Sequence, residues 1–149
     1  MAWNPYGLDQ IAHKLVKRAL EIDEDDKIEG NSCLREAYEM REMVAYGLER
    51  FWGESLRHRG NPNSPGKKQL KNATYWEETW AKLVEILGKA DVVLPKDRNA
   101  QVMAKKLWGD LALDGTKDGV KLSHRDRQLA LAVLTQLCDC MVWWTQRYK

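Results

Sequence analysis

Apolar residues recur along this chain at three- and four-residue intervals, and the longest such run lies between Ser123 and Tyr148. Ala130, Val133, Leu134, Leu137, Cys138, Met141 and Trp144 mark one helical stripe. Leu129, Leu131, Ala132, Cys140, Val142 and Trp143 widen it until it nearly encircles the axis. Ser123, with Asp126 three places on, has the form of an N-terminal cap that satisfies free amides and suits the helix dipole. At about 1.5 Å per residue the run spans about 37 Å, the diameter of a small domain, so it is expected to be the central post of a bundle. Gln128, Thr135, Gln136, Asp139 and Thr145 interrupt it, and it falls short of the ~18 consecutive apolar residues of a membrane span.

The same periodicity predicts four helices upstream. The first starts at Asn4-Pro5 and buries Leu8, Ile11, Ala12, Leu15, Val16, Ala19 and Leu20, with Lys14, Lys17 and Arg18 outward. After the Gly30-Asn31 break, Ser32 caps a second helix that reaches about Leu56. Thr74 and Glu77 form a capping box for a third, whose face is Trp76, Trp80, Leu83, Val84 and Leu87 and whose end lies near Gly88. A fourth runs from about Arg98 to Leu111. Between the second and third, Arg57 to Lys68 holds two Pro, two Gly and two Asn beside five basic side chains, the composition of a flexible surface loop. Asp114-Gly115 and Asp118-Gly119 mark turns. No alternating strand pattern occurs, so the predicted fold is all-α: one domain over residues 1–149, a bundle of about five helices around a long apolar C-terminal helix.

Composition changes this picture in three places. A chain of 149 residues is long enough to bury a sizeable core. Seven Trp stand against one Phe, and an indole buries a large ring while its N–H seeks a partner, so Trp3, Trp52 and Trp143 are candidates for contacts with other chains. Cys33, Cys138 and Cys140 are odd in number, and the pair at Cys138 and Cys140 points its thiols to different sides of a helix, so the three read as small core residues without a metal or disulfide. Met1 to Gly7 carries no basic stretch followed by an apolar run, which makes a cytoplasmic location the expectation.

The net charge is only +2, but six acidic residues against Lys27 give Glu21–Glu29 a local charge of −5, so the remainder carries +7. A helical block with that surplus can present a basic face to a polyanion. Arg57, Arg59, Lys67, Lys68 and Lys71 surround the predicted loop and the following helix start, and Lys105, Lys106, Arg125 and Arg127 extend that surface if their helices pack alongside. No reader motif accompanies them, so binding is expected to follow the phosphate backbone and weaken with salt. Catalytic signatures are missing: His13, His58 and His124 stand apart, with no H-E-x-x-H, phosphate-cradling Gly loop or G-x-S-x-G. The expectation is a non-catalytic protein without cofactor or metal.

Three stretches carry a family resemblance: Tyr46-Gly47-Leu48 late in the second helix, the Tyr75-Trp76 helix through Trp80 and Leu83, and the close from Arg127-Gln128-Leu129-Ala130 to Trp143-Trp144 and Arg147-Tyr148. In their order they resemble the small α-helical subunit of type III, Cmr-type, CRISPR–Cas effector complexes. The chain departs from that pattern in the Asn61–Gly66 loop and in lacking a Leu-Pro before the glycine-leucine pair. The resemblance implies a non-catalytic subunit that stacks with copies of itself and other subunits in a ribonucleoprotein and touches guide and target RNA through their backbones. The alternative is a helical adaptor or scaffolding protein of phage or defence origin that binds a protein partner.

Overall fold

A computed structural model describes residues 7–25, 32–59, 67–97, 99–113 and 119–149, with backbone alone for 67–69. The described residues form six α-helices: α1 (Leu8–Asp25), α2 (Glu36–Met43), α3 (Leu48–Arg59), α4 (Lys67–Gly88), α5 (Ala100–Leu107) and α6 (His124–Tyr148). No strand occurs among them; Ala112 and Lys121 make a single antiparallel bridge. The all-α bundle is therefore as the periodicity predicts, with six helices in place of about five.

The additional helix comes from a break inside the second predicted one. After α2 and a short 3₁₀ turn over Val44–Tyr46, Gly47 adopts φ 101° and ψ 170°, backbone that only glycine reaches at no steric cost. Helical bonding stops there and restarts with the Phe51 N–H donating to the Gly47 carbonyl at 3.1 Å. Apolar spacing is indifferent to such a break, because the residues on either side still face one core.

Other boundaries move for equally local reasons. The α4 helix begins at Lys67, and the Thr74 hydroxyl donates back to the Leu70 carbonyl at 2.8 Å, so Thr74 is an interior residue of α4 and not a cap. The α3 helix continues through Arg57, His58 and Arg59, which the composition had assigned to the loop; residues 60–66 lie outside the described residues, as do the Asn4-Pro5 start and the turns at 114–118. One cap stands as predicted, the Ser123 hydroxyl accepting from the Asp126 N–H; the Ser32 hydroxyl accepts from the Leu34 N–H and caps a 3₁₀ turn over Cys33–Arg35 that leads into α2, which has no side-chain cap of its own. The α5 helix is shorter than expected, capped by Asn99 and finished at Leu107.

Packing proceeds in two tight pairs, α1 with α6 and α3 with α4, while α2 bridges α6 to α4 and α5 lies against α3. Tyr75, Trp76, Leu83 and Leu87 of α4 meet Phe51 of α3, Met40 of α2, Val16 of α1 and Leu134 and Leu137 of α6 in one buried cluster. The α6 helix has the predicted length of 25 residues, but Ala130, Val133, Leu134, Leu137, Cys138, Met141 and Thr145 form its buried face, whereas Leu129, Ala132 and Trp143 are exposed. It is thus amphipathic, and the core is shared with α4 rather than wrapped around a single post. Cys33 and Cys138 are buried as free thiols, and Cys140 is half-buried.

Between α5 and α6 the chain closes on itself. Gly109 has φ +82°, and a Cβ placed on it would lie 2.7 Å from the Leu122 carbonyl oxygen, which is backbone and cannot swing aside. Gly109→Ala is expected to lower stability by about 1–3 kcal/mol, read as the change in urea unfolding midpoint, from the forced left-handed backbone and this clash.

Candidate functional site

Of the nine basic side chains proposed from the sequence, seven are described, and two of those seven are buried. Lys71 is 4% exposed, with its ammonium 2.9 Å from Asp23 Oδ1, and Lys106 is buried against Asp97 at 3.2 Å. Both are internal ties, a correction to their placement on a polyanion surface: long aliphatic stems bury well once the charge has a carboxylate. Arg59 is held by Glu77 through Nε and Nη2, and Arg57 by Glu54 at 2.7 Å, so both reach the surface already paired. The side chains of Lys67 and Lys68 lie outside the described residues. Lys105 and Arg125 are exposed, while Arg127 has a buried Nε without a partner among the described residues and lines a small cleft of about 190 Å³ with His124, Gly47 and Leu107.

Two of these ties belong to buried polar junctions. Asp23 accepts from the Ser32 hydroxyl at 2.6 Å, the Cys33 N–H at 2.8 Å and Lys71, closing the end of α1 onto α4. Burial works to raise its pKa, and the hydrogen bonds from Ser32, Lys71 and Cys33 outweigh it, so the carboxyl lies below the usual range. In the second junction the Trp76 Nε1–H donates to Glu36 Oε1 at 3.1 Å, and His58 Nε2 lies 2.9 Å from the same oxygen and 3.3 Å from Arg57 Nη2. Burial lowers the His58 pKa, Glu36 opposes this, and Arg57 adds to the lowering. His58 is therefore a structural imidazole packed on the Trp76 ring at 5.9 Å, not an isolated one.

Two surface features remain. The first lies where the C-terminal end of α6 runs beside α1. His13 Nε2 lies 2.7 Å from the Tyr148 hydroxyl, and the Trp144 ring lies 4.4 Å from His13 and 6.2 Å from Tyr148, with its Nε1–H donating to Asp9 at 3.0 Å. Trp143 meets Trp144 edge-on and is 47% exposed. Three cations rest on these and a neighbouring ring: Arg147 on Trp143 at 4.0 Å, Lys17 on Tyr148 at 5.4 Å and Lys149 on Tyr38 at 6.0 Å. None of the three is within ion-pair distance of a carboxylate among the described residues. Of this array the sequence reading had named only Trp143 as a contact residue. The signal was present as aromatic and basic residues interleaved over Trp143–Lys149, but the α1 half was invisible until the two helices were paired.

The second is a cleft of about 460 Å³ between α3 and α4, with Trp52, Leu56, Trp80 and Ala81 as apolar walls and Arg59, Glu77, Lys96 and Asp97 around them. Trp52, expected to seat a neighbouring chain, is half-buried here; Trp3 lies outside the described residues. Among the described residues no group of three His, Cys, Asp or Glu is placed to hold a metal ion, and no helix is long and apolar enough to cross a membrane.

No protein-family model, curated protein or solved structure matches the chain. Fold and surfaces together define an all-α helical bundle with two candidate binding faces.

The two buried junctions set an acid response. The unfolded chain takes up a proton on His58 first, so the contribution of neutral, buried His58 is complete above about pH 6.5 and is lost as pH falls below that value; the Asp23 contribution is complete above about pH 4 and is lost below it. Urea midpoints measured against pH should fall in these two windows, with His58→Gln removing the upper one. At neutral pH Lys71→Met is expected to cost about 3–5 kcal/mol, because it strands the Asp23 carboxylate.

Proposed function

We propose that the chain is a non-catalytic nucleic-acid-contacting subunit whose contact surface is the ring-and-cation array of α1 and α6. The observation that carries this reading is Trp143, nearly half exposed with the Arg147 guanidinium 4.0 Å above its ring, beside further rings that carry Lys17 and Lys149. Unpaired bases stack on indole faces and on guanidinium planes, and cations without carboxylate partners are free to meet phosphates. Such a surface suits single strands, whose bases are available for stacking, better than a closed duplex. The pairing of Arg57, Arg59, Lys71 and Lys106 with carboxylates argues against the surface first expected around the predicted loop.

In the form suggested by the resemblance, the strand is guide or target RNA, the setting is an RNA-guided CRISPR ribonucleoprotein, and neighbouring subunits perform the cleavage. That reading implies a cytoplasmic location. The adaptor reading draws its support from the α3–α4 cleft, which is separate from this surface.

Fluorescence anisotropy with labelled oligouridine and a duplex RNA of equal length, repeated across salt concentration, tests the reading. Single strands are expected to bind tighter and with a steep salt slope. Trp143→Ala should weaken binding by about 5- to 100-fold, the worth of one stacked base. Arg147→Gln should lower the salt slope by about one. No binding at low salt, or equal affinity for Trp143→Ala and the parent chain, would overturn it.

A further inference from the structure

We infer that the cleft between α3 and α4 is a docking groove for a short amphipathic helix of a partner protein, one that presents bulky apolar residues a turn apart and a carboxylate beside them. The inference goes beyond the nucleic-acid reading and does not depend on it, since no residue is shared between the two surfaces.

Shape comes first. Trp52, Leu56 and Arg59 lie on one ridge of α3, at spacings of four and three residues, and Glu77, Trp80 and Ala81 lie on the facing ridge of α4. Two packed helices with such ridges leave a trough between them, and the α3 ridge from Trp52 to Arg59 covers about 10 Å, two helical turns. A third helix laid along that trough repeats the packing by which the bundle itself is built, and helix-in-groove recognition uses anchors at this spacing. The volume of about 460 Å³ holds two large side chains, and falls within the range of preformed binding pockets.

The chemistry of the walls comes second. The Trp80 Nε1–H donates to the Pro95 carbonyl at 3.2 Å, and the Ser55 hydroxyl donates to the Trp52 carbonyl at 2.8 Å. Both polar groups are satisfied within the fold; Trp80 and Ser55 are buried, so the apolar surface open to a ligand comes from half-buried Trp52 and Leu56 and exposed Ala81, and it gains most from an apolar anchor.

Charge decides the partner. Each acid at the rim already has its own cation: Glu77 is bound by Arg59 and Asp97 by Lys106. Lys96 is exposed and has no carboxylate within ion-pair distance among the described residues. Among the described residues the rim therefore carries one unit of uncompensated positive charge over an apolar floor, which favours a ligand with a carboxylate next to its anchors and disfavours a basic one.

Panning a displayed library of helix-forming peptides of about 12 residues against the full chain provides the probe, and the enriched peptides are then synthesised with a fluorescent label. The expected result is enrichment of Leu, Phe or Trp one turn apart with adjacent Asp or Glu. Ala81→Arg fills the trough from an exposed position, and Lys96→Glu reverses the surplus charge at another. Each should weaken the selected peptides by about tenfold or more at unchanged thermal unfolding midpoint, while oligouridine binding stays as in the parent. Enrichment of basic peptides, undiminished binding to Ala81→Arg, or sedimentation showing a dimer that Ala81→Arg dissociates would each overturn the inference, the last because a second copy of the chain would then be the occupant.

Discussion

A single carboxylate oxygen, Oε1 of Glu36, takes a hydrogen bond from the indole of Trp76 at 3.1 Å and lies 2.9 Å from His58 Nε2, so that α2, α4 and α3 meet at one polar point. A charge set among packed helices needs a polar partner, and here the donor ring, Trp76, also packs against the core, with Phe51 4.9 Å away. His58 of α3 and Trp76 of α4 pack ring to ring at 5.9 Å in this junction, while Trp52 and Trp80 of the same two helices line the cleft between them.

Charge is disposed differently on the two halves of the molecule. Around α3, α4 and α5, Arg57, Arg59, Lys106 and Lys71 are drawn into pairs with Glu54, Glu77, Asp97 and Asp23, which lowers the field those four offer a polyanion. On α1 and α6 Arg18 is bridged to Glu78, but Lys17 and Arg147 rest on rings, where quadrupole attraction holds the side chain without cancelling its charge. A guanidinium over an indole still attracts phosphate, whereas a guanidinium bridged to a carboxylate is neutral at a distance. The number of basic residues is thus a poor guide to where a polyanion binds; what each one touches decides it.

The conclusions that held came from bonds made close in sequence. Helix repeats are intrasegment, so the all-α class and the approximate run of α1, α4 and α6 are readable from the spacing of apolar residues, and the Ser123 cap bonds only three residues away. The break at Gly47 was legible in principle but masked by an uninterrupted apolar face. Thr74 shows the converse: its capping pattern with Glu77 is genuine as a pattern, yet the helix already runs from Lys67, and the hydroxyl bonds backwards to Leu70. Lys71 and Lys106 could not be assigned from composition, since a lysine that solvates a surface and one that closes a buried ion pair are the same letter.

By itself, then, the amino-acid order determined the helical class, most of the core-facing residues and where α6 starts, because each rests on hydrogen bonds and burial patterns within a few residues. Tertiary structure alone decided which cations are free, that α6 buries one face rather than all of it, and that His13 and Asp9 meet Tyr148 and Trp144 across 135 positions of chain. Those contacts depend on which helices become neighbours, and that follows from the packing of the whole set of apolar faces, which no local window contains.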